Sequence, residues 1–150
     1  VTNDLAGGSA THTLGSGAIS LQVKYWSDLP MNQWTAGASK PLNISATATL
    51  NGDQGQAVYL SQVTATPVVT DGAKVLKAPA AFIDTASVSP GYLVKTPYSY
   101  TQTFTIPALD SRATAITLNF NYALLLQSTP TSGAYAKQSA SDQITIAITK

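Results

Sequence analysis

The chain has 150 residues, no cysteine, a formal net charge of +1 and only 10 % charged residues. Without cysteine there is no disulfide framework, thiolate metal site or thiol nucleophile, and the dispersed lysines form no basic cluster that would neutralise a row of phosphates. All seven acidic residues are Asp, and losing Glu, a good helix former, while keeping many Thr, Val and Tyr favours an all-β fold.

Val1 to Ala18 is rich in Gly, Ser, Thr and Ala and reads as an N-terminal arm. Ile19 to Tyr25 then alternates cleanly, with Ile19, Leu21, Val23 and Tyr25 on one face, as a half-buried strand does. Trp26 to Ala38 is irregular and carries Trp34. Leu42 to Leu50 is the next strand, ended by an Asn51-Gly52-Asp53 turn, because Asn-Gly adopts positive φ readily.

Ala57 to Val69 reads as one or two strands interrupted at Pro67, and Asp71-Gly72 turns the chain into Val75 and Leu76. Pro79 demotes Ala78 to Ile83 to an edge or broken strand. Ser89-Pro90-Gly91 is a turn, and Tyr98 to Ile106 is a long strand burying Tyr100, Phe104 and Ile106. Thr114 to Gln127 places Ile116, Leu118, Phe120, Tyr122 and Leu124 on one face. The Leu124-Leu125-Leu126 run breaks the alternation and suggests a bulge or a strand covered on both sides. Asp142 to Thr149 closes the chain with Ile144, Ile146 and Ile148 on one face. Short strands with turn signals between them argue a β-sandwich or a small barrel. No apolar run approaches the ~20 residues of a membrane span, and no long linker divides the chain.

Few residues suggest chemistry. The single histidine, His12, lies in the arm, where nothing rigid would hold it for catalysis, and it reads as incidental. The seven Asp sit mostly at turns or strand ends, where their side chains cap the backbone. Asn51-Gly52-Asp53 offers two oxygens to Ca²⁺ with nothing nearby to complete the set. Trp26 and Trp34 are candidate glycan contacts, since flat rings present apolar faces to sugars. Asn43-Ile44-Ser45 fits the N-glycosylation pattern within a strand. No enzyme and no cofactor is expected.

Gly133-x-Tyr135 followed by the strand Ile144 to Thr149 resembles the end of chaperone–usher fimbrial subunits of a cysteine-free branch. Ile19 to Tyr25 and Lys40 to Asp53 sit where that family's early strands would. The resemblance implies an immunoglobulin-like β-sandwich of about seven to nine strands, residues 19–150, completed by a donor strand from a neighbour. Residues 1–18 would be the donor arm, with Leu5, Ala10, Leu14 and Ala18 as donor contacts. Ile19, Leu21, Val23, Ile144, Ile146 and Ile148 would line the acceptor groove. The chain would be a structural subunit of an extracellular fimbria or pilus, a mature form whose signal peptide is gone. Its partners would be identical subunits in a homopolymer, a periplasmic chaperone, an outer-membrane usher and a host glycan or protein receptor, with no nucleic acid and no membrane insertion. Two other readings stay open: a monomeric carbohydrate-binding or adhesive sandwich, and a viral or other shell protein with a jelly-roll fold.

Overall fold

Period-two alternation dictates strands, and the strands pair into two antiparallel sheets. The structure, a computed structural model, describes residues 2–150. Its strands are β1 (Ser9–Ser16), β2 (Ile19–Trp26), β3 (Lys40–Leu50), β4 (Val58–Asp71), β5 (Lys74–Leu76), β6 (Phe82–Thr85), β7 (Tyr92–Leu93), β8 (Tyr100–Ile106), β9 (Ala115–Gln127) and β10 (Tyr135–Ala147). One 3₁₀ turn spans Met31–Gln33. The four-stranded sheet has the order β1-β2-β3-β8. The six-stranded sheet has the order β10-β9-β4-β5, with β6 and β7 also on β4. The inward residues of both sheets form one core, from Leu21, Val23 and Ile44 on one side to Val63, Leu118 and Ile144 on the other. This is a β-sandwich.

Four expectations need correcting. The arm is not separate from the domain: Ser9–Ser16 pairs along its whole length with Ile19–Trp26 in the same chain, through a tight turn at Gly17, where φ is 56°. Val1 lies outside the described residues. Pro67 does not interrupt β4. The Thr70 carbonyl accepts from the Thr114 N–H, so from Gln62 onward the even-numbered positions of β4 face β9 and Pro67 faces the other side. There β4 has no partner between Ala65, opposite Phe82, and Val69, opposite Leu76, so no ladder bond is lost. The bulge lies on the facing strand, where the β4–β9 register shifts between Leu60 and Gln62. Ser61 is the extra residue, and the Leu124–Leu126 run stays regular. Finally, β10 starts at Tyr135. Its first half is an exposed edge with Ala140 its one buried residue, so it carries little apolar alternation to read.

One edge is closed by a strap. After β7 the chain crosses between the sheets: the Val94 N–H donates to the Val58 carbonyl of β4, and the Val94 carbonyl accepts from the Ala48 N–H of β3. Gly91 lets this strap in. A Cβ there would stand 2.7 Å from the Leu60 carbonyl oxygen and 3.0 Å from its carbon. Backbone atoms cannot step aside as a side-chain tip can, so we expect Gly91→Ala to destabilise the fold by ~1–3 kcal/mol. Urea denaturation measures this, and an unchanged midpoint would refute the close-approach account.

Candidate functional site

The opposite edge, where β1 of one sheet meets β10 of the other, holds a cluster of hydrogen-bonded polar side chains. Asp142 departs from the turn-capping role expected of Asp: it sits mid-strand on β10 and points inward, its side chain 10 % exposed. Three groups converge near it. His12 Nδ1 lies 2.9 Å and 2.7 Å from its two carboxylate oxygens. A carboxylate only accepts, so Nδ1 carries the hydrogen. The Tyr25 hydroxyl donates to Oδ2 at 2.7 Å. That uses Tyr25's one proton, so the buried Tyr122 hydroxyl, 2.8 Å away, donates to Tyr25. Farther along the seam, Ser16 Oγ donates to Gln138 Oε1 at 3.1 Å. The chain Tyr122→Tyr25→Asp142←His12 thus links β9, β2, β10 and β1.

Each member is placed by pleat. Ala10, His12, Leu14 and Ser16 are the half-buried face of β1, and Tyr25 follows Ile19, Leu21 and Val23 inward on β2. The His12 ring meets Tyr25 edge-on at 5.8 Å, and Tyr25 packs on Phe120 at 5.0 Å. A histidine oriented by a carboxylate is half of an acid–base site. No hydroxyl nucleophile is bonded to its other nitrogen, and no group of three or more metal-ligating side chains occurs among the described residues. What the cluster does chemically is fasten two sheet edges. Sequence reasoning took His12 as incidental because nothing local marks it as inward-facing. The signal available was its parity with Ala10 and Leu14.

The proposed donor contacts part company. Leu5 is fully buried in the core, with Asp4 beside it clamping the β10 edge: its N–H donates to the Thr145 carbonyl at 2.8 Å and its Oδ2 accepts from the Thr145 N–H at 2.7 Å. Ala10 and Leu14 pack half-buried against the core, while Ala18 is exposed in the turn. Ile19, Leu21, Val23, Ile144, Ile146 and Ile148 are all buried within this chain.

Trp34 is no glycan contact: its ring is fully buried and Nε1 donates to Ser27 Oγ at 3.0 Å. Trp26 is half-buried, with Lys24 Nζ 5.5 Å from its ring centre. Asn43 is buried with both ends of its amide bonded, Nδ2 to Asp28 and Oδ1 to Thr103, so a glycan on Nδ2 would cost the bond to Asp28. Asp53 caps its own turn through the Gly55 N–H and pairs with Lys95 Nζ at 2.9 Å, which holds its carboxyl below the usual range. Lys40 went unnoticed in the sequence. It is buried without a carboxylate, donating to the carbonyls of Thr35, Ala36, Ala38 and Pro107, and so pins the irregular loop after β2. Burial pushes its ammonium below the ordinary lysine value.

These buried groups set the alkaline limit. Burial, above all, pushes Tyr25, Tyr122 and Tyr100 well above the ordinary tyrosine value, with the neighbouring carboxylates adding to it. In the unfolded chain they lose protons near pH 10. Above that pH the unfolded state binds fewer protons, so their contribution makes stability fall as pH rises. Lys40 acts oppositely, raising stability as pH climbs from its lowered value to about 10.4. We expect tyrosinate absorbance to show these three of the seven tyrosines ionising only as the chain unfolds. Reversible ionisation of all seven near pH 10 with the fold intact would contradict it. Among known proteins, no family model matches this chain, and neither does any curated protein.

Proposed function

We propose that this chain is the repeating subunit of an extracellular fibre of the chaperone–usher fimbrial kind, an immunoglobulin-like sandwich that polymerises by passing its N-terminal strand to an identical neighbour. One observation carries the reading. In the four-stranded sheet β1 is the only strand without a fully buried residue, yet it covers β2, whose Ile19, Leu21, Val23 and Tyr25 are all buried. A strand that contributes little to the core but shields much of it is a cover that can be exchanged. Transfer of an identical strand restores the same contacts in trans, so the exchange is nearly balanced in free energy. The exposed Gly17-Ala18 turn is the hinge. Leu5 is the apolar anchor that travels with β1, and His12 and Ser16 supply the polar fastening to β10.

The low charge fits a surface made for assembly, and periplasmic delivery by a chaperone and an outer-membrane usher belongs to the same proposal. An unboiled detergent gel of the intact chain and of a chain lacking residues 1–18 tests it. A heat-sensitive ladder that disappears with the arm supports exchange between copies. A monomer in both cases overturns it. Within the ladder-forming chain we expect Leu5→Ala to weaken retention of the arm by ~2–5 kcal/mol, the usual cost of deleting a buried leucine side chain. Ala18→Ser should leave the ladder unchanged, and equal effects of the two would remove Leu5 as the anchor.

A further inference from the structure

An edge strand offers its unpaired backbone to any other strand, and folded chains blunt their edges with short length or charge. At the seam β1 and β10 close on each other. His12 and Ser16 cross to β10, and Asp4 takes both the N–H and the carbonyl that Thr145 turns outward. On the other side of the six-stranded sheet, β5, β6 and β7 are three, four and two residues long, with Lys74 in the first and Asp84 in the second. β8 has none of these protections. It ends the four-stranded sheet, and its seven residues, Tyr100–Ile106, include no charge, proline or glycine.

Which of its backbone groups face outward follows from the ladder. The N–H and the carbonyl of Ala48 both bond to the strap, on the side of β3 away from β2, so the even-numbered positions of β3 face β8. They stand opposite even positions of β8, Ile44 opposite Gln102 and Leu42 opposite Phe104. Residues of a hydrogen-bonded pair exchange both bonds, so Thr101, Thr103 and Thr105 turn theirs away from β3. The Thr103 N–H agrees, donating to Gln102 Oε1 at 2.9 Å and not to β3. The outward N–H groups of Thr101 and Thr105, and the carbonyls of all three, have no hydrogen-bond partner among the described residues. The edge is also open. Ser99, Tyr100, Thr101 and Gln102 line a cleft in succession, residues of both faces, as happens where a cleft runs along the backbone edge of a strand.

We propose that β8 pairs antiparallel with β8 of a second copy about a two-fold axis at Thr103, joining the two four-stranded sheets edge to edge. That register sets Thr103 opposite Thr103, Thr101 opposite Thr105 and Gln102 opposite Phe104. Each outward N–H then meets an outward carbonyl of the other copy. A shift of the axis by one residue leaves an outward threonine without its counterpart. Cross-strand threonine pairs are favourable, and no like charges face each other. On the inner face the half-buried Gln102 and Phe104 cover one another. The Thr103 N–H exchanges a side-chain acceptor for a main-chain one, so no donor is lost. A second copy suits this edge better than a free extended peptide, because its β8 is already ordered on β3 and binding spares that ordering cost. The contact is independent of strand exchange, since β8 and β1 stand at opposite ends of the same sheet.

Sedimentation of the intact chain in native buffer, from micromolar to millimolar concentration, tests it. A reversible dimer is expected, weakened about fivefold or more at low salt by Thr103→Lys, which sets two ammonium groups opposite each other at the axis. Thr103→Asp alone weakens it likewise, and an equal mixture of the two variants dimerises again, a recovery that a merely structural role for Thr103 does not produce. Thr49→Lys, exposed on β3 beyond the end of the β8 ladder, leaves dimerisation unchanged. If losing the bond from Thr103 Oγ1 to Asn43 unfolds these variants, Thr101→Lys with Thr105→Lys and Thr101→Asp with Thr105→Asp repeat the experiment at exposed side chains. A chain that stays monomeric to millimolar concentration overturns the proposal. So does association that the Lys variants leave intact, or that the mixture fails to restore. The detergent gel reads a different contact, so strand exchange and β8 pairing can each fail alone.

Discussion

A carboxylate turned into a β-sandwich must be met by donors, and the architecture here follows from meeting Asp142. Its strand lies at the edge of the six-stranded sheet, while its donors come from β1 and β2 of the other sheet. Satisfying one side chain therefore fixes how far apart the two edges stand. The same need places Tyr122 against Tyr25, since Tyr25 has spent its proton on the carboxylate. Removing a single partner would leave a desolvated group behind, which costs more than the net value of one bond. A buried network of this kind holds together as a unit or is lost as one.

The far edge repeats the device with different residues. There Asp84 of the six-stranded sheet accepts from Tyr100 of the four-stranded sheet. At both edges, then, an Asp of the larger sheet accepts a hydrogen bond from the hydroxyl of a Tyr of the smaller. The difference lies in what covers them. At the seam, β1 lies over Asp142 and His12 takes both of its oxygens. At the far edge, β6 is four residues long, Asp84 stands at the lining of an open cleft, and among the described residues only its Oδ2 accepts hydrogen bonds. One arrangement spends both carboxylate oxygens on the protein, and the other spends one.

The all-β class and most strands were legible because alternation is a direct record of one buried face. The buried residues of β2 and β3 follow from Ile19 to Tyr25 and from Leu42 to Ala48 by parity alone. Legibility fails where burial is partial. Ser9–Ser16 and the first half of β10 are strands held by side-chain seams and backbone pairing, so they are written in Ser, Thr, Ala and His and look like linker. The site suffered most. His12 and Asp142 are 130 residues apart, and only the pairing of β1 on β2 and the stacking of the two sheets bring them together. Trp34 misled for the opposite reason. An aromatic in an irregular loop suggests a surface platform, but Lys40 folds that loop onto the core by gathering its carbonyls.

The polar seam also decides register. Side chains repeat every two residues along a strand, so β1 could slip by two positions on β2 and keep the same face inward. Such a slip would bring Ala10 or Leu14 to the place of His12. Neither can donate, so Asp142 would lose its β1 partner in a site that is 10 % exposed, at a cost of ~1–3 kcal/mol. Apolar contacts on this face are too small to discriminate, because Ala10, Leu14 and their neighbours are only half-buried. Whichever copy supplies β1, its own chain or another, His12 is the residue that tells the correct alignment from its nearest competitors.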